Sequence, residues 1–123
     1  MTVEELYASI GGDYAAAKKV LMMDKMIARF VGKLPDDPSF ERLMTAGETM
    51  DAAGIFNGAH AMKGVCANLG LTTLSAAAGE LCEEFRGGRA GRLSDAEVTE
   101  RLQAIRELYE RTVAGIRAFQ AQQ

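Results

Sequence analysis

The stretch Gly58–Leu71, "GAHAMKGVCANLGL", holds His60, the chain's one histidine, with Lys63 three positions further on and Gly64 four. An exposed imidazole of ordinary acidity, with a pKa of about 6.5, is largely unprotonated at neutral pH, and its free ring nitrogen is a nucleophile. A lysine three residues along the same helix lies within side-chain reach, where its ammonium can balance an anion attached to the ring. Glycine inside a helix is less stable than alanine by about 1 kcal/mol. At i+4 from His60, Gly64 leaves the ring's outer edge clear for another surface. The trio suits a group that accepts and releases an anion. The means of activating such a group are absent: no carboxylate stands one turn from His60, and no glycine-rich nucleotide loop is present.

Whether His60 is presented or packed depends on the helix that carries it. Asp51 is placed to cap that helix, and Ile55, Ala59, Met62, Cys66 and Leu69 recur at spacings of 4, 3, 4 and 3, which defines a buried stripe. At 100° per residue His60 lies about 140° from the stripe's centre and so points outward. Gly64 lies nearly opposite the stripe, Lys63 at its margin, and Phe56, Asn57 and Ala67 share the outer face. Val65, about 80° from the centre, is expected at the bundle margin.

The elements around it read as helices throughout. Thr2 opens a short helix over 2–10, stopped by Gly11 and Gly12, and Asp13 can cap a second helix from about 13 to 34. In that run Met23, Met26, Phe30 and Leu34 form the expected buried face, and a break is possible near Asp24. Asp37 and Pro38 restart the chain as a helix over 38–49, with Phe40, Leu43 and Met44 on its apolar side. The His60 helix covers 51–70. After Gly70, residues 72–86 carry the stripe Leu74, Ala78, Leu81 and Phe85, ended by Gly87 and Gly88. Ser94 and Glu97 form a capping box for the last helix, 95–120, whose Val98, Leu102, Ile105, Tyr109, Thr112, Ile116 and Phe119 alternate by four and three. No segment reads as a strand. The expected fold is all-α: one domain over 1–123, an up-and-down antiparallel four-helix bundle with a short extra N-terminal helix. Its arms would be 13–34, 38–49, 51–70 with 72–86, and 95–120.

Composition narrows the function. The 123 residues are 48% hydrophobic and 25% charged, with a formal net charge of −3, which is globular and gives no electrostatic footprint for nucleic acid. The basic run "RGGRAGR", Arg86–Arg92, follows no strand and lacks the P-loop pattern, so it reads as a flexible connector. One histidine and two cysteines, Cys66 and Cys82, match no metal-site spacing; the cysteines read as small buried hydrophobes and the seven methionines as adaptable core filling. No cofactor or metal of the chain's own is expected. No signal peptide or membrane span is apparent, so a cytoplasmic, reduced setting is expected, and the lack of a spare apolar face favours a monomer.

"AHAMKGVCANLGL" resembles the centre of histidine-containing phosphotransfer domains, whose motif is His-x-x-Lys-Gly followed by a small residue and Leu-Gly: here His60, Lys63, Gly64, Leu69 and Gly70. "IGGDYAAAKKVL", the turn at Met50–Asp51 and "LTTLSAAAGELCEEF" are similar to the same family, so the resemblance covers most of the chain and is strongest over 51–86. It implies a four-helix bundle in which His60 is the phosphoacceptor and Lys63 balances the phosphate. Phe56, Asn57, Gly64 and Ala67 would form the docking surface. The implied partners are response-regulator receiver domains, which would supply Mg2+, and a hybrid or sensor histidine kinase. The chain would be a free-standing phosphorelay carrier without kinase activity of its own; Val65 is bulkier than the family's usual serine or alanine. The alternative is a docking module that binds such a partner without being phosphorylated.

Overall fold

Five of the seven helix starts are marked by a side chain that accepts from a free N–H group of the first turn; α3 and α6 start without one. In a computed structural model describing residues 1–123, α1 (Val3–Ser9) opens on a capping box in which Glu5 N–H donates to Thr2 Oγ1 at 3.1 Å and Thr2 N–H to Glu5 Oε1 at 2.7 Å. Asp13 caps α2 (Tyr14–Leu21) by accepting from Ala16 N–H, and α3 spans Asp24–Val31. Asp37 accepts from both Ser39 N–H and Ser39 Oγ to start α4 (Ser39–Glu48). Asp51 caps α5 (Ala52–Asn68), α6 covers Thr72–Glu84, and a second capping box, Ser94 with Glu97, opens α7 (Asp95–Ala121). Short 3-10 turns lie at Leu34–Asp36 and Arg86–Gly88. No strand is present.

The bundle is built from α4, α5, α6 and α7. The short connections after α4 and α5 fold neighbours antiparallel, with α5 packed between α4 and α6 and α7 closing the ring against both. The stripe Ile55, Ala59, Met62, Cys66 and Leu69 of α5 is buried, as are Leu74, Ala78, Leu81 and Phe85 beside it. On α7 the seam is buried at every position except Tyr109, which is half-buried and stacks on Phe40 of α4 with ring centroids 3.8 Å apart. No buried side-chain nitrogen or oxygen lacks a hydrogen-bond partner.

Several expectations need correction. Residues 13–34 are not one bundle arm: the chain breaks at Met22, whose φ of 75° no α-helix accommodates, and restarts at Asp24. The break is stapled by Asp24, which accepts from Tyr14 Oη at 2.5 Å and pairs with Lys18 at 3.2 Å. It also resets the helical phase, so α3 buries Ile27 and Val31, while Met26 and Phe30 are half-buried and Met23 is outside. With that run removed from the bundle, α5 and α6 become separate arms instead of two parts of one. Methionine is not uniformly core filling: Met62 is 1% exposed, whereas Met22 and Met23 are 74% and 53% exposed. Val20 is 54% exposed as well, so large apolar side chains do stand outside the core. Finally, the arginine-rich connector is tied down, with Arg86 bonded to Glu83, Arg92 to Glu84, and Gly88 against Ala53 of α5.

Two points fix how α5 sits. A Cβ on Gly58 would fall 2.8 Å from Leu43 Cα and 3.0 Å from Leu43 N, so α4 crosses α5 backbone to backbone. At the other end Gly70 has φ +70°, and a Cβ there would meet Asp13 O at 2.7 Å; its carbonyl accepts from Asp13 N–H, while the Leu69 carbonyl accepts from the buried Tyr7 hydroxyl at 2.6 Å.

Gly58→Ala will lower stability by about 1–3 kcal/mol in urea denaturation despite alanine's better helix propensity, because a backbone has to move. Burial, with a smaller contribution from the charge of Asp37, pushes the Cys66 thiol up to about 12 from 9.0. Its raised value favours the fold below the ordinary thiol range, and that advantage drains away as the pH climbs through it. At pH 8 the native protein will resist iodoacetamide at Cys66 and the urea-unfolded chain will not, as mass spectrometry of the alkylated peptides will report.

Candidate functional site

The site is the bare face of α5. His60 is exposed near the middle of the helix, and Phe56, one turn earlier, lies nearly parallel to the imidazole at 5.9 Å between centroids and 18° between planes. Lys63, Gly64, Asn57 and Ala67 are exposed and Phe56 is half-buried, so the helix brings all six sequence-selected residues to one surface. A Cβ on Gly64 would meet nothing within 4 Å: no neighbour within the chain requires that glycine. Gly58 and Gly64 are thus opposites, one pressed on a backbone and the other facing open space. Val65 is half-buried at the margin.

The neighbouring helix α6 contributes residues that sequence reading did not select. The Lys63 carbonyl accepts from Ser75 Oγ at 3.1 Å, and the lysine stem lies over Gly79, whose hypothetical Cβ would stand 3.3 Å from Lys63 Cδ. Further along α6, the Arg86 guanidinium grips the Glu83 carboxylate through Nε and Nη2. That hydrogen bonding and the Arg86 charge hold the Glu83 carboxyl below its usual range, with a smaller contribution from Lys63. Burial raises the Cys82 thiol, and the Lys63 charge opposes it. The signal for these residues was the hairpin register: Gly70 turns the chain, so residues of α6 run back past Lys63 toward the level of His60. Both cysteines are buried and unpaired. No group of three His, Cys, Asp or Glu side chains is gathered in a way that could hold a metal ion.

An apolar groove of about 430 Å³ lies beside the C-terminal half of α5, between Val65 and Leu69 on one side and Leu21, Phe30 and Leu34 on the other, with Lys33 and Asp37 among its lining. The exposed Val20 lines it too. This second surface is hidden from the sequence because a break near Asp24 leaves open how the two halves of residues 13–34 are turned relative to each other.

A helical bundle that holds a histidine outward, with a lysine and a glycine on the same face, defines a class of carrier. The comparison with protein families places it: residues 25–115 match the Hpt domain, 91 of the 123 residues, and the chain belongs to that family. It is therefore a histidine phosphotransfer module of two-component signalling, a class that works with kinases and receiver domains. Comparison with curated proteins and with solved structures gives no match. No helix of the chain is long and apolar enough to cross a membrane.

Because nothing in the chain touches the Gly64 position, Gly64→Ala will raise stability by up to about 1 kcal/mol in urea denaturation, the gain from helix propensity alone. A loss instead would show that this glycine serves the fold.

Proposed function

We propose that the chain is a phosphorelay intermediate: His60 accepts a phosphoryl group from an aspartyl phosphate of one receiver domain and passes it to the aspartate of another. The observation that carries this reading is the exposed His60 with Lys63 beside it and an unoccupied space over Gly64. A lone pair of one imidazole nitrogen forms the N–P bond while the P–O bond to the aspartate breaks, and that electron pair leaves with the partner's carboxylate. The other ring nitrogen keeps its proton through the step. Transfer onward is the reverse, onto a different carboxylate. The phosphoryl group passes through a loose, highly charged transition state, so positioning and charge neutralisation supply most of the catalysis. Lys63 provides one positive charge from this side. In this reading Mg2+ belongs to the receiver, and the carrier needs no cofactor of its own.

Phe56, Asn57, Gly64 and Ala67 form the docking surface around the imidazole. The small residues let a receiver approach closely, and Phe56 gives it an apolar anchor. The groove lined by Val20, Val65 and Leu69, beside the C-terminal half of α5, offers further apolar contact. A hybrid or sensor histidine kinase is the upstream source of phosphate.

The test is transfer from a panel of phosphorylated receiver domains encoded in the same genome, comparing wild type with His60→Gln. Acid-labile, alkali-stable label will appear on the wild type and be absent from the variant. Receivers that bind without labelling the wild type would make the chain a docking module instead.

A further inference from the structure

We propose that Gly79 of α6 is a positioning residue for Lys63: its missing side chain forms a trough in which the lysine stem lies flat, carrying the ammonium toward His60. The inference rests on the phosphoacceptor reading of His60 and adds a residue to that site. A Cβ at position 79 would have three nearest neighbours, and all three are Lys63 carbons: Cδ at 3.3 Å, Cε at 3.6 Å and Cγ at 3.7 Å. The space that Gly79 leaves is thus bordered most closely by a single side chain. The lysine is held from behind as well, because Ser75, one turn before Gly79 on α6, donates to its backbone carbonyl at 3.1 Å.

The direction of the stem follows from the register of the two helices. Ser75 and Gly79 lie against Lys63, whereas Gly88 lies against Ala53, so α6 runs back along α5 and residues beyond Gly79 stand level with His60 and then Phe56. Side chains on a helix lean toward its N-terminus, which for Lys63 is the direction of His60. The charge of Lys63 is accordingly felt at Cys82 and Glu83, farther along α6 than Gly79. Glu83 does not capture the ammonium: its carboxylate pairs with Arg86, and Lys63 makes no ion pair. A lysine on an open surface would spread its charge over many rotamers. One laid in a trough spends more of its time where the phosphoryl oxygens arrive, and less freedom is lost when they do.

A residue that served only the fold would behave in the opposite way from the one proposed. Glycine within a helix is a weak choice, so Gly79→Ala should move the urea midpoint upward while slowing phosphoryl transfer from a receiver about threefold; Gly79→Leu should slow it about tenfold. In a Lys63→Ala background the same two substitutions should leave the transfer rate unchanged, because the side chain they displace is gone. The experiment measures transfer rate and urea midpoint for wild type, both Gly79 variants, Lys63→Ala and the two double variants. Equal slowing with and without Lys63, or no slowing in a labelled wild-type background, would overturn the role of Gly79 and leave the carrier reading standing. A wild type that takes no label from any receiver would instead sink the carrier reading, and this proposal with it.

Discussion

Everything at the site follows from how α5 is confined. It buries one stripe in the core, is pressed on one flank by α4 through Gly58 and on the other by α6, and so has a single side left uncovered. Burial of the stripe fixes the rotation of the helix, and rotation decides which residues face water. A shift of one residue in that phase would turn His60 by about 100° toward a flank. The end of the helix is held as firmly as its sides: the Tyr7 hydroxyl under Leu69 and the close approach of α2 at Gly70 stop it from sliding or rolling. The Leu-Gly that closes the family motif therefore has a mechanical role, well away from the chemistry.

Three glycines around this helix hold space for three different things. Gly58 holds it for the backbone of α4, Gly79 for the stem of Lys63, and Gly64 for nothing belonging to this chain. Chemical type alone does not separate them. What does is the identity of the nearest atom, which is a backbone, a flexible side chain or open solvent. The cost of filling each space differs in kind as well as size, since a backbone resists displacement, a lysine yields, and solvent does not object at all.

The stripe on α5 was legible because its buried positions are apolar without interruption, and the orientation of His60 followed from phase alone. The long seam of α7 and its capping box were equally plain. The course of residues 13–34 was legible only in part: a break near Asp24 could be read as possible, but the change of phase could not, because two apolar patterns abut at Met22 and Met23 with no glycine or proline between them. Methionine conceals the difference: it is unbranched and apolar, at home inside a core, and here it is exposed at a backbone conformation that usually selects glycine. The part played by α6 at the site was also hidden, since it depends on the pairing of two helices, and periodicity within one helix says nothing of which residues of its neighbour lie opposite.

The two ends of the chain meet: the amino group of Met1 donates to Oε1 of Gln122 at 3.3 Å, where α7 has run on past the bundle to pack beside α1. Ends that lie together make a domain portable. Such a module can be spliced into a loop of a larger chain, or have its old termini joined and new ones opened elsewhere, with little rearrangement. The His60 face takes no part in that junction. For any module of this shape, a tether acts first on how often partners meet, through effective concentration.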